Sequence, residues 1–407
     1  MPRLTIARFF REYFPYLLPS AILIYIVLES YQIDFRPYYV AGRSVLLGLD
    51  PYLNPVGLHP ELYTPVNAES RPWSGFIYPP FAALLMTAFS WMPYGTAKVV
   101  YSVFILFCLW CLFFQLLRHR GSPLSPAVLV LALMSFPTLA SFERGQIDIL
   151  VCCLTVSAFY ASQSNKPPVL PGLMLGMACL TKIFPFVALL YYLVKRQFRM
   201  VAATIGSILI FLTLPLFYFG YPVYLNFAKR TFPDLLGQIV NPYPTQTLGQ
   251  TVLNRLVFAI EGNKLLVTHD FVHGYMNPFL RGKPFLALTV GAIAFAILFY
   301  FLRPRKEDEQ FFSLLNTIHL FNPQTWIMGL VWYFPFLFHH FQRTTALGKF
   351  WLVLPIFMPP FTNSNGMLAY AVTLAFAIPG SRKHLLLPPK APETPSVTPP
   401  TSKDVWD

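Results

Sequence analysis

The sequence predicts an all-α polytopic membrane protein, and three observations carry that prediction. Hydrophobic residues make up 55% of the 407 residues and charged ones only 12%, where a soluble domain carries about 25% charged. Several windows approach the roughly 20 apolar residues that cross a hydrocarbon core. Most Lys and Arg fall in short stretches between those windows, where the positive-inside bias puts them. That placement also accounts for the net charge of +13, so nucleic acid is not an expected partner. Cys108, Cys111, Cys152, Cys153 and Cys179 all lie inside apolar segments. They read as small hydrophobes, spaced for neither a zinc site nor disulfides.

Apolar length and loop charge set the order of spans. Arg3, Arg8 and Arg11 place the amino terminus in the cytoplasm. A first helix over about 14–31 lacks a small-residue cleavage site, reads as retained, and delivers Asp34 to the outer face. A first outer loop follows over residues 32–95, rich in Pro, Gly and aromatics. Within it, Phe76 to Met92 reads as a surface helix, opened by Tyr78-Pro79-Pro80 and closed by Pro93. Were it to cross, Arg118, His119 and Arg120 would be stranded outside. Thr96 to Leu117 then runs inward, Ser125 to Phe142 outward and Ile147 to Gln163 inward. Leu170 to Val194 reads as two short helices broken near Lys182 and Pro185, because Lys195, Arg196 and Arg199 also belong inside. Met200 to Phe219 leads to a long outer loop over residues 220–283, and Pro284 to Leu302 returns. Phe311 to Phe341 forms a pair broken at Asn322 to Trp326, and Phe350 to Phe361 with Met367 to Pro379 forms the last pair. The sum is about twelve spans with both termini cytoplasmic. Residues 1–384 form the membrane domain. The Pro-, Thr- and Ser-rich residues 385–407 form a tail unable to bury a core, read as disordered.

This order collects polar residues on the outer side. An ionisable group at membrane depth is a functional candidate by default. Asp34 suits a general base that takes a proton from an acceptor hydroxyl; it equally suits a helix-end carboxylate paired with Arg36 or Arg43. Asp50-Pro51-Tyr52 reads as a turn. In Glu143-Arg144-Gly145-Gln146-Ile147-Asp148 the glycine permits a tight turn, and Arg144 has the planar fork that grips a phosphate. A polar turn with an internal Glu143–Arg144 pair is the plainer alternative. Lys182 falls between two apolar runs, where binding a lipid-linked phosphate or snorkelling to the interface would relieve its cost. The loop Pro244 to Gln250, with Arg255, offers hydroxyls and amides suited to sugar or phosphate, and equally to an ordinary surface loop. His339 and His340 point apart on a helix and make no metal site. No Walker loop or dinucleotide fingerprint is present, so a transferase acting outside would need a lipid-carried donor.

Taken in order, these pieces resemble a known family. They are Asp34-Phe35 with Tyr38-Tyr39 and Ala41-Gly42-Arg43, then Gly48 to Tyr52, then Tyr78-Pro79-Pro80. Arg144 to Asp148 follows, then Gly172 and Gly176 leading to Lys182-Ile183-Phe184-Pro185, then Gln246-Thr247-Leu248-Gly249 with Arg255. The chain resembles glycosyltransferase family 87, integral-membrane enzymes of C-type fold that use polyprenyl-phosphate mannose. The resemblance implies an inverting mannosyl transfer to a glycan or glycolipid acceptor at the outer face of the plasma membrane. Asp34 would be the catalytic base. Arg43, Tyr78, Arg144, Gln146, Asp148, Lys182, Gln246 and Arg255 would bind substrate or lipid phosphate. No cofactor is implied. One departure stands out: Trp326 is not followed by the His common in the family's late motif. A transporter or flippase of lipid-linked saccharides is the competing reading, though it should concentrate polar groups at mid-bilayer in matching broken helices.

Overall fold

A computed structural model describes residues 6–30, 32, 34–53, 62, 76–118, 126–164, 167–231, 284–321, 327–358 and 365–387. Among these the chain is helical, apart from one bridge between Thr344 and Leu386. In order the helices are α1 (Ile6–Glu29), α2 (Phe35–Leu46), α3 (Pro80–Ser90), α4 (Tyr94–Arg118), α5 (Pro126–Leu133), α6 (Phe136–Arg144) and α7 (Asp148–Ser162). They continue with α8 (Val169–Thr181), α9 (Phe186–Val194), α10 (Phe198–Phe219), α11 (Tyr221–Asn226), α12 (Pro284–Leu302), α13 (Glu307–Leu315) and α14 (Ile318–Phe321). After a 3-10 turn at Ile327–Tyr333 come α15 (Phe334–His340), α16 (Ala346–Phe357), α17 (Asn365–Ala377) and α18 (Pro379–Leu385). The described residues are all-α, as the sequence predicts.

Among the described residues, α4 and α10 are long and apolar enough to cross a membrane, and the bent pair α5–α6 forms a third candidate span. The other apolar stretches among the described residues run 10–17 residues, Tyr16–Glu29 within α1 and Leu288–Leu302 within α12 among them. The expected outward run from Ser125 to Phe142 is thus two helices meeting at 41°. The break has a local cause. Pro137 has no N–H and fits only the first turn of a helix. Helix α6 therefore restarts from an extended Ser135, whose hydroxyl donates back to Ala132 O at 2.8 Å.

Helix α3 begins on Pro80, as a proline-led first turn should. Its 11 residues give about 17 Å of rise, too little for a hydrocarbon core of about 30 Å. It packs instead on α2 and α10. The predicted break at Lys182 is present: α8 ends at Thr181, Lys182 is extended at φ −152°, ψ 143°, and α9 starts after Pro185. Helices α8 and α10 pack together extensively. A Cβ on Gly172 would meet Ala203, and one on Gly176 would meet Ser207. Small residues on both sides let the two backbones approach as membrane helices do.

The buried core draws on helices from along the described chain, and one C-terminal run lies wholly within it. Every residue from Ile327 to His340 is buried. Phe338 stacks on Phe113 of α4 at 4.9 Å, and Phe311 of α13 stacks on Phe159 of α7 at 4.2 Å. This apolar stretch is enclosed by protein, so its hydrophobicity reports a core rather than a lipid-facing wall. A second polar layer lies where the first turn of α13 meets three other elements. Glu307 pairs with Lys195 at 3.5 Å, Asp308 with His339 at 3.5 Å, and Glu309 with Arg382.

Candidate functional site

The loop between α1 and α2 carries Asp34, and two devices hold it. The last turn of α1 has no basic side chain of its own to meet its terminal carbonyls. Lys98 of α4 supplies one, its Nζ donating to Ser30 O at 2.8 Å and Leu28 O at 3.3 Å. On the other side the Asp34 N–H donates to Arg144 O at 2.9 Å, which sets the loop against the end of α6. Gly145 then turns the chain at φ +73°, a conformation that suits glycine. A Cβ there would lie 2.5 Å from Phe35 Cβ, so the two loops are in close contact.

That contact assembles a continuous charged network. Arg144 grips Asp34 through both edges, Nε to Oδ2 at 2.5 Å and Nη2 to Oδ1 at 2.9 Å. This bidentate fork is the strong form of such a pair. Gln146 Nε2 donates to Asp34 Oδ2 at 2.7 Å. The same amide's oxygen accepts from Lys182 Nζ at 3.3 Å, and Lys182 donates onward to Asp148 Oδ2 at 2.6 Å. Trp332 Nε1 closes the line on Asp148 Oδ1 at 3.4 Å. The two carboxylates differ in access. The Asp148 side chain is 2% exposed while that of Asp34 is 21% exposed.

Tyrosines line the same place. Tyr38 donates to the Tyr78 hydroxyl at 2.7 Å, and Tyr52 donates to Tyr78 O at 2.7 Å. Burial raises the pKa of Tyr38 well above the ordinary tyrosine range, with Tyr78 next in effect. Burial likewise raises that of Tyr78, against the lowering pull of Lys182. Both therefore stay protonated and act as hydrogen-bond donors, not as bases.

Of the residues chosen from sequence, Asp34, Arg144, Gln146, Asp148 and Lys182 form one network, with Tyr78 beside it. Arg43 does not join them. It lies more than two turns along α2, where its guanidinium donates to Ser90 O at 3.3 Å, so it holds α2 to the end of α3. Gln246 and Arg255 lie outside the described residues, as do the Asn322 to Trp326 break and the tail from residue 388. The pairing reaches across the sequence: Asp34 is held by Arg144, whose fork is turned to it. Asp50 is a turn residue as read: its Oδ1 accepts from Tyr52 N at 2.8 Å. Gln32 and Trp332 were not singled out from sequence, and Tyr38 only as part of the family resemblance, with no role assigned. No spacing rule links Trp332 to a carboxylate 184 positions away.

Comparison with known proteins bears on this arrangement. The model of glycosyltransferase family 87 matches residues 76–323, more than half of the chain. The chain belongs to glycosyltransferase family 87. The match includes Arg144, Gln146, Asp148 and Lys182, and begins after Asp34. A Mycobacterium tuberculosis protein named polyprenol-phosphate-mannose-dependent alpha-(1-2)-phosphatidylinositol mannoside mannosyltransferase is 29% identical, over 44% of this chain and 43% of its own length. A Mycolicibacterium smegmatis protein, the corresponding pentamannoside mannosyltransferase, is 28% identical over 43% of this chain and 42% of its own length. The aligned part of this family 87 chain thus spans less than half the length of these relatives. No solved structure matches it.

Proposed function

We propose that this family 87 protein transfers mannose from a polyprenyl-phosphate donor to a glycolipid acceptor, with Asp34 as general base. The observation that carries the reading is the contrast within the network. Asp34 is the carboxylate open to an incoming group, at 21% exposed, while Asp148 is sealed against Lys182 at 2% exposed. The relatives' dependence on polyprenol-phosphate mannose and their phosphatidylinositol mannoside acceptors support the choice of donor and acceptor class.

In this reading the acceptor hydroxyl oxygen attacks the anomeric carbon of the sugar. The bond from that carbon to the phosphate oxygen breaks, and the configuration inverts in one displacement. Asp34 takes the hydroxyl proton, and polyprenyl phosphate leaves with the bonding electrons. Arg144 and Gln146 fix the carboxylate by three hydrogen bonds, so its orientation is set before the acceptor arrives. Lys182, whose side chain is 15% exposed, is the network cation placed to meet the charge that grows on the leaving phosphate. Tyr78 and Tyr38, held neutral, supply hydroxyls to the sugar or phosphate. Gln246 and Arg255 complete the phosphate side from the long outer loop. The membrane arrangement we propose has about twelve crossings, cytoplasmic termini and the network at the outer face, on loop charge alone.

The test is incorporation of radiolabelled mannose from polyprenyl-phosphate mannose into lipid by purified protein supplied with a total lipid extract. The wild type should transfer label, and Asp34→Asn should lose at least about 100-fold in kcat. Full activity in Asp34→Asn would remove Asp34 from the chemistry. A wild type that moves labelled donor across a vesicle membrane yet never transfers its sugar would establish the flippase reading instead.

A further inference from the structure

We propose that Gln32 is a positioning residue that sets where the Asp34 carboxylate stands; the inference rests on Asp34 being the general base. Gln32 is 1% exposed and sits two residues before Asp34 in a backbone conformation of φ +48°. L-residues other than Gly, Asn and Asp rarely adopt that region, and it persists only where surrounding contacts over-determine it. Here they do. Both hydrogens of its side-chain amide are used, one on Ser102 Oγ of α4 at 2.7 Å and one on Phe142 O of α6 at 2.9 Å. Its own carbonyl accepts from Phe35 N at 2.9 Å and Arg36 N at 3.2 Å, and so starts α2.

The consequence is geometric. Phe142 lies two residues before Arg144, and Asp34 two residues after Gln32. One amide therefore joins the segment that carries the base to the segment that carries the base's guanidinium and amide partners. The Asp34 N–H to Arg144 O bond is a second tie between the same segments. Ser102 anchors the pair to α4, one of the two long helices. Phe35, the neighbour of Asp34, stacks on Tyr101 of the same helix at 4.5 Å. Gln32 touches none of the charged network itself; it acts through Asp34.

Three variants of the full-length protein in lipid nanodiscs test this in the mannose-transfer assay. Gln32→Ala removes both bonds. Gln32→Glu keeps the size and leaves at most one donor, on the protonated acid, where the amide has two. Ser102→Ala removes one acceptor on a helix that bears no network residue. Misplacing a reacting group by about 1 Å costs on the order of 100-fold. Gln32→Ala and Gln32→Glu should therefore lower kcat about 10- to 100-fold, and Ser102→Ala about 3- to 10-fold. The KM for polyprenyl-phosphate mannose should stay within about threefold, because the donor is held by other groups. Melting temperature is measured on every variant. Wild-type kcat in a folded Gln32 variant overturns the inference. So does a loss that merely follows the folded fraction, or one shared between kcat and KM. If both Gln32 variants fail to fold, Ser102→Ala decides, and wild-type kcat there is the overturning result. Asp34→Asn, run alongside, separates the two ideas. An active Asp34→Asn ends the general-base reading, whereas an inactive one beside a fully active Gln32→Ala ends only the positioning role.

Discussion

Replacing Arg144 by Lys keeps the positive charge and removes the fork. The guanidinium now reaches both oxygens of Asp34, at 2.5 and 2.9 Å; a lysine ammonium is a point donor and can hold one of them well. The backbone tie from Asp34 N to Arg144 O is untouched by the substitution, so the loops should stay docked and the protein should fold. What is lost is one hydrogen bond to a charged group, about 1.5–3 kcal/mol. At about 1.4 kcal/mol per tenfold, that is roughly 10- to 100-fold in kcat/KM if the orientation of the carboxylate matters in the transition state. Partial exposure of Asp34, 21%, lets water replace some of the lost bond, so the lower end is expected. The assay is initial rates of mannose transfer in nanodiscs over a range of polyprenyl-phosphate mannose, giving kcat and KM separately. An Arg144→Lys variant within about twofold of wild type, the reproducibility of the assay, would refute the claim that the fork aims the base.

Other consequences are open to direct measurement. Lys182→Met leaves Asp148 buried without its ammonium and should cost about 3–5 kcal/mol, most of it recovered in Lys182→Met with Asp148→Asn; melting temperatures of the full cycle report the coupling, and simple additivity would show that the pair contributes nothing. Gly145→Ala must hold φ +73° and seat a Cβ 2.5 Å from Phe35 Cβ, so a loss of about 2 kcal/mol or more is expected in denaturation, together with loss of transfer. A normal melting curve would mean the turn is looser than it stands here. Gly176→Leu should drive α8 from α10 at Ser207 and lower thermal stability, while the same change at Gly206, which has no heavy atom within 4 Å of its Cβ position, should be nearly silent. Trp332→Phe removes the 3.4 Å bond to Asp148 and, at a fully buried position, leaves a cavity where the second ring of the indole stood; about 2–4 kcal/mol of stability should be lost in thermal denaturation, and a silent change would show that neither the bond nor the packing matters.

Much of this site was legible because polar residues are scarce in an apolar chain. Arg144, Gln146 and Asp148 stood out between two apolar runs, and Lys182 stood out beside Pro185, where a charge and a helix breaker coincide. What sequence does not carry is pairing across distance. Asp34 had two arginines within nine residues, yet it bonds to one 110 positions away, because docking of the α1–α2 loop on the end of α6 brings that one near. Gln32 and Trp332 were invisible for a related reason: an uncharged glutamine or a tryptophan in apolar surroundings reads as ordinary burial until its partner is known. The run from Ile327 to His340 shows the limit of hydropathy. Its apolar residues mark a core segment broken into short turns, and the same composition would serve a membrane span. Proline chemistry explains why Ser125 to Phe142 bends at Ser135, which apolar length alone could not reveal.

The acidic first turn of α13 depends for its charge balance on residues made well after it. Glu307 meets Lys195, which the ribosome has already delivered, but Asp308 and Glu309 wait for His339 and Arg382, more than thirty and more than seventy positions later. Until α18 is made, Glu309, 7% exposed in the finished protein, has no guanidinium to settle against. A chain stopped short of Arg382 would thus keep every network residue described around Asp34 and still carry a carboxylate that resists burial. Burial of the first turn of α13 therefore waits on α18, a helix far along the sequence from Asp34.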